Sequence, residues 1–186
     1  LGALADRDVN LGGLHCVASD VSVAGITLAR GSVLFTTDAA AVFDDFLVVP
    51  HDVAVFTPDR PGDYRAGTFR ILIDGGDIGI SGAISAVSLA EADVSVGGMR
   101  LAAGTFVLAG RGIRTEMTSS DVIAFEPTSL GDRGTAGSVS LLLHGADLGL
   151  NRAISGIHLV SDATTVAGAV LQPADLLMTL RDDDPS

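Results

Sequence analysis

The sequence predicts an all-β protein built from a diverged internal repeat of roughly 70 residues. Three observations carry this expectation. Apolar residues come in short runs broken by Gly, Asp and Ser, the punctuation of strands and turns. Lys is absent, all 11 basic residues are Arg, and among 23 acids only Glu91, Glu116 and Glu126 are not Asp. Lys and Glu coat solvent-facing helices, whereas Asp prefers turns. The third observation is that the chain aligns with itself.

The repeat is clearest between two long segments. Asp52-Val53-Ala54-Val55-Phe56-Thr57-Pro58 matches Asp121-Val122-Ile123-Ala124-Phe125-Glu126-Pro127, and Gly62-Asp63 matches Gly131-Asp132. Beyond a one-residue insertion, 66–73 matches 136–143, Asp77-Ile78-Gly79-Ile80 matches Asp147-Leu148-Gly149-Leu150, and Ala83-Ile84-Ser85 recurs as Ala153-Ile154-Ser155. The offset stays at 69 to 70 throughout. A partial copy leads the chain: 20–29 matches 93–102, 31–35 matches 104–108, and Asp8 corresponds to Asp77 and Asp147. A weaker match covers 166–171 and 176–178.

Each unit reads as about four or five antiparallel strands. The first centres on 53–56. The second covers 68–73, where period-2 alternation assigns Phe69, Ile71 and Ile73 to one face. The third runs around 84–89, and the last two span 99–101 and 105–108, separated by the turn Ala102-Ala103-Gly104. Gly62-Asp63, Asp74-Gly75-Gly76, Gly97-Gly98 and Gly131-Asp132 supply turns. The stretch 39–43 has room for one short helical turn, and no amphipathic helix of useful length is present.

The domain organisation is then a partial unit at 1–51, units at 52–120 and 121–181, and an acidic tail at 182–186, about 2.6 copies in all. The first copy lacks the part corresponding to 52–74, and the last stops near Arg181, where another such segment would begin. Either the chain is cut from a longer array, or a neighbouring chain supplies a strand to an open edge. A start at Leu1 without a signal-peptide pattern also reads as a segment of a longer precursor. Units of this size suit a sandwich, a three-sheet prism, or propeller-like blades completed by a second subunit or by further sequence, ahead of a β-solenoid.

Composition narrows the function. Hydrophobic residues make up 47% and mean hydropathy is +0.47, so the chain can build a core. No apolar run is long enough to span a membrane as a helix. A net charge of −12 argues against nucleic acid or an anionic membrane as partner, and fits a soluble secreted or cell-surface protein, or one from a salty habitat.

The run Phe125-Glu126-Pro127-Thr128-Ser129-Leu130-Gly131-Asp132, followed by Gly137-Ser138-Val139-Ser140-Leu141-Leu142-Leu143-His144-Gly145-Ala146-Asp147-Leu148-Gly149-Leu150, resembles a repeat of large bacterial secreted and surface proteins. Those repeats carry Phe-x-Pro-Thr-Ser-Leu-Gly, then an aromatic-rich strand ending in Asp-Gly-Ser-Asp-Val-Gly-Leu. The earlier copy here is Phe69-Arg70-Ile71-Leu72-Ile73-Asp74-Gly75-Gly76-Asp77-Ile78-Gly79-Ile80. This chain departs from the pattern in having His144 at the first Asp and few aromatics. The resemblance implies an extracellular bacterial setting and carries over no catalytic residue.

Candidate chemistry is sparse. Asp74-Gly75-Gly76 is a β-turn, because the paired carboxylates of an aspartic protease would need a second Asp where His144 stands. Gly76, Gly79 and Gly82 form no phosphate-binding fingerprint, and Gly79-Ile80-Ser81-Gly82-Ala83 fails the nucleophile-elbow pattern at its last position. His15, His51, His144 and His158 lack metal-ligand spacing. Cys16, in the apolar stretch Leu14-His15-Cys16-Val17, reads as a buried inert thiol. Calcium is a minor candidate at Asp74 with Asp77, Asp44 with Asp45, and Asp182, Asp183 and Asp184; solvated turns are the simpler reading. Tyr64, in an exposed loop at 59–65, is the best platform for a sugar. No catalytic, cofactor or metal residue is assigned. The expected role is an extracellular structural, adhesive or self-assembling β module that is not an enzyme. Its partners would be further copies or neighbouring repeats, and a module binding glycan or calcium is the alternative.

Overall fold

A computed structural model describes residues 9–43, 45–112 and 116–181. The described chain is all-β, its only helical elements being short 3-10 turns at Gly76–Ile78 and Gly145–Leu148. No described helix is long and apolar enough to cross a membrane. The strands in chain order are β1 (Leu11–Cys16), β2 (Val21–Val23), β3 (Ile26–Leu28), β4 (Val33–Thr37), β5 (Ala41–Phe43), β6 (Phe46–Val48), β7 (Val53–Arg60) and β8 (Asp63–Ile73). They continue with β9 (Ile84–Leu89), β10 (Val94–Val96), β11 (Met99–Leu101), β12 (Phe106–Gly110), β13 (Val122–Ser129) and β14 (Ala136–Leu143). The last are β15 (Ile154–Leu159), β16 (Thr164–Val166), β17 (Ala169–Leu171) and β18 (Leu176–Leu180).

Two antiparallel meanders share one plan, β1-β4-β7-β8 and β9-β12-β13-β14, and a two-stranded sheet, β15-β18, repeats its first half. Each sheet straddles the positions where the sequence match begins: β4 pairs with β7 across 51/52, and β12 with β13 across 120/121. The link between the first two strands of each sheet carries a small hairpin, β2–β3, β10–β11 or β16–β17. Gly97 (φ 57°) and Gly98 (φ 88°) form the turn of the middle one, with both residues at positive φ as this hairpin type requires.

The sheets stack face to face in chain order. Along β12, Phe106 and Leu108 point into a core shared with the first sheet, while Val107 and Ala109 point into a core shared with the third. Along β7, Val53 and Val55 join the first of these cores, and Ala54 and Phe56 face the opposite way. That outer face is closed by the β5–β6 hairpin, whose Phe43 packs on Phe35 and Phe69 at centroid distances of 5.2 Å. β12 and the first half of β13 are thus apolar on both faces, which is why they read as continuous hydrophobic runs. Leading strands β1, β9 and β15 all touch one another, so the sheets fan out from a common side. Close approach there depends on glycine: a Cβ on Gly13 would lie 2.7 Å from the Val87 nitrogen.

Three local expectations change. The stretch 39–43 contains strand β5 rather than a helical turn, because Phe43 is needed over the outer face. Phe69 and Ile71 share a face, but Ile73 joins the opposite core: the register shifts between Val53 and Ala54, and the extra residue turns the end of β8 over. The segment 59–65 is a tight hairpin in which Arg60 pairs with Asp63, so Tyr64 stands on β8 beside Phe56 rather than in a loop.

Candidate functional site

The leading strands bring one repeat position together three times. His15 on β1, Ser88 on β9 and His158 on β15 are equivalent by strand register, since their partners Leu34, Val107 and Leu177 are equivalent on β4, β12 and β18. His15 Nε2 lies 3.2 Å from Glu91 Oε1, and its Nδ1 lies 3.4 Å from Ser88 Oγ. The His158 ring stacks on His15 at 6.1 Å. The Glu91 carboxylate also accepts the Ala18 and Ser19 amides and the Ser19 hydroxyl at 2.8–3.0 Å. Burial pushes the Glu91 acid upward, but these bonds outweigh it and hold the group at about 2. Burial, with the neighbouring His15, lowers His158, and Glu91 partly opposes this.

The order Ser88–His15–Glu91 has the connectivity of a hydrolytic triad. Its geometry serves cohesion instead. Ser88 is fully buried, and its oxygen already accepts the Leu159 amide at 3.0 Å. A nucleophile must reach substrate, and this hydroxyl faces protein on every side. The cluster ties all three sheets together through one histidine, beside a cleft of about 300 Å³. Spacing in the sequence does not unite His15 with His158, and no motif marks Ser88 or Glu91. The signal was present: carried back a few residues, the repeat alignment superposes His15, Ser88 and His158.

The other two histidines occupy related places. Asp52 accepts the Val49 and Gly75 amides, and its counterpart Asp121 accepts those of Thr118 and Gly145, so each clips the start of a strand to a 3-10 turn. His51 lies 3.9 Å from Asp52, and His144 3.8 Å from Asp121. The environments part company at the residue before the turn. Burial, with Asp74 beside it, raises Asp52. Asp121 is pushed up by burial too, but its hydrogen bonds and His144 win and lower it. His51, Asp52 and Asp74 each bring a ligand atom within 4.8 Å of the others, the one grouping of metal-ligand type among the described residues.

The remaining candidates resolve individually. Asp74 Oδ1 accepts the Gly76 amide at 3.0 Å within the turn, while Asp74 Oδ2 accepts the Arg133 amide at 3.4 Å and Asp77 the Thr135 amide at 3.0 Å, so both acids join the first sheet's exit turn to the second sheet. Asp45 flanks the β5–β6 turn and is exposed; Asp8, Asp44, Asp182, Asp183 and Asp184 lie outside the described residues. Ser81 is exposed and donates to the Gly112 carbonyl at 3.3 Å. Cys16 is exposed, not buried, because alternation along β1 turns His15 and Val17 inward and Leu14 and Cys16 outward.

The largest asymmetry is at the far end of the stack. All five residues of β4 and of β12 are buried, each strand lying between two others. Among the described residues their counterpart β18 pairs only with β15; Leu176 and Met178 are half-buried, and Leu177, Thr179 and Leu180 are exposed. The adjoining β16–β17 hairpin leaves Val166 56% and Val170 61% exposed, whereas Val21, Val23 and Leu28 of β2–β3 are buried. Among the described residues an unpaired strand edge and apolar surface thus lie together at one end. No protein-family model matches the chain, and neither a curated protein nor a solved structure matches it.

Proposed function

We propose that this chain is an extracellular structural module that assembles through its sheet faces and strand edges. One observation carries the reading: among the described residues β18 has a free edge where β4 and β12 are each covered by a further strand. Unpaired amides and carbonyls beside exposed Leu177 and Leu180 are a template for another chain. The motif resemblance to bacterial secreted proteins supports the extracellular setting, and the net charge of −12 agrees with it. The test is the assembly state of the purified chain by light scattering and electron microscopy. Oligomers or fibres that grow with concentration are expected; a monomer over the whole accessible range overturns the reading.

A second reading, a cation-binding module, has the His51–Asp52–Asp74 grouping in its favour. Imidazole with two carboxylates suits a first-row transition ion better than calcium, which takes oxygen ligands only. Thermal melts with zinc, calcium and chelator separate the two readings. A melting temperature that responds to metal while the chain stays monomeric favours the second.

A further inference from the structure

The assembly reading leaves the partner unspecified, and the contact between the first two sheets specifies it. There the second sheet's hairpin β13–β14 meets the end of the first sheet at three points. The Gly131 amide donates to the Leu72 carbonyl at 2.9 Å, and Ile73 and Gly131 form a parallel bridge. Thr135 Oγ1 accepts the Asp74 amide at 2.9 Å, and the Thr135 amide donates to Asp77 at 3.0 Å. Under this cover Leu72 is 1% exposed. One boundary further on, the counterparts are Leu142, His144 and Asp147, and Leu142 is only half-buried. The described residues hold no third hairpin of this kind, and none of them pairs with the edge of β18 where it would lie.

Resting on that assembly reading, we propose that the notch between the free edge of β18 and the end of β14 receives a β-hairpin of the β13–β14 type, presented by another polypeptide chain. Its first strand pairs antiparallel with β18, as β7 does with β4 and β13 with β12. The turn before its second strand meets Leu142, His144 and Asp147, as 131–135 meets Leu72, Asp74 and Asp77. The main-chain groups are aimed correctly. The Val160 amide bonds to the Asp175 carbonyl, so 175, 177 and 179 point toward β15. By alternation, Leu176, Met178 and Leu180 direct their amides and carbonyls to the free edge. The surface continues an interface already formed, because Leu142, Leu143, Leu176 and Met178 all border the core between the second and third sheets.

The probe is a labelled synthetic peptide with this chain's sequence 121–143, added to the whole protein. Saturable binding is expected, with slowed amide exchange at Leu176, Met178 and Leu180. A Met178→Pro variant removes an edge-facing amide without touching the β15 ladder and should weaken binding by about tenfold or more. Leu180→Pro does the same at an exposed position, should the first variant fold poorly. Val166→Ser, off the notch, should bind as the parent does. No binding, or binding matched by a scrambled peptide or retained in both proline variants, overturns the proposal. If the chain oligomerises while the peptide does not bind, the hairpin assignment fails alone. If the peptide binds a chain that stays monomeric, self-assembly fails and the hairpin assignment stands.

Discussion

β12 and β18 occupy the same place in the repeating plan and live in different environments. Both follow a small hairpin and pair with the leading strand of their sheet. β12 has a sheet on each face and a strand on each edge, and it is apolar at every position, Phe106-Val107-Leu108-Ala109-Gly110. β18 keeps the apolar character, Leu176-Leu177-Met178-Thr179-Leu180, but among the described residues it has a strand on one edge alone and is half-buried or exposed throughout. At the opposite end of the stack the β5–β6 hairpin closes the outer face with Phe43. Stacked repeats need such caps, since each unit hides its faces only against neighbours. One end of this molecule carries its cap, and the other carries a surface with the composition of an interior.

The largest expected effect measures that contrast directly. Leu108 and Met178 are equivalent by register, facing Val87 and Ile157, and Leu108 is fully buried. Leu108→Ala should cost about 2–5 kcal/mol, through lost transfer energy and the cavity left in a tight core. Met178→Ala, at a half-covered site, should cost under about 1.5 kcal/mol. Urea unfolding of the two variants at low protein concentration checks this. Equal losses would mean that β18 is as enclosed as β12 and would erase the comparison. A Met178→Ala loss that grows with protein concentration would show that the cover comes from assembly.

Much of this was legible in the sequence. The strands around 53–56, 84–89 and 99–101 follow from apolar runs and glycine turns, because local alternation and turn chemistry point the same way there. The weaker match over 166–171 and 176–178 falls on the β16–β17 hairpin and β18. What escaped had non-local causes. The reversal of Ile73 depends on a bulge opposite Val53 and Ala54, which only pairing reveals. The apolar Leu14 and Val17 on either side suggest a buried Cys16, although alternation from His15 gives the opposite answer. The Ser88–His15–Glu91 cluster joins residues more than 70 positions apart, and nothing local marks them.

A second, smaller effect tests how the covered boundary is fastened. Glu91 reaches from the end of β9 to the β1–β2 link, while the equivalent place after β15 is Ser161, so the sheet 2–3 boundary has no such fastening. Glu91→Gln replaces an acceptor of several N–H groups by an amide that presents donors of its own. The loss near neutral pH should be about 2 kcal/mol. The pH dependence follows from the folded value of about 2 against an ordinary 4.5. A depressed acid stabilises the native state above its unfolded value, and that stabilisation disappears as pH falls through the folded one. The two proteins should therefore differ most above about pH 5 and converge near pH 2. Parallel curves over this range would show that the Glu91 charge is not what joins the first two sheets.

The smallest effect concerns a turn that the covered units and the open unit solve differently. Gly31 (φ 87°) and Gly104 (φ 93°) precede β4 and β12, and the same turn before β18 places Ala174 at φ 75°. A residue with a Cβ held in this left-handed region costs about 1–2 kcal/mol. Glycine removes that cost but gives the unfolded chain more freedom, worth about 0.4–1 kcal/mol in the other direction. The difference favours glycine, so Ala174→Gly should raise stability by roughly 0.5 kcal/mol. Gly104→Ala should do the reverse and more, because its Cβ would also stand 3.2 Å from the Val23 methyl groups. Thermal melts of the two variants give the sign of each change. If Ala174→Gly destabilises, the alanine is stiffening an edge strand that has no neighbour on its far side, and the turn before β18 is adapted to an open sheet rather than left strained.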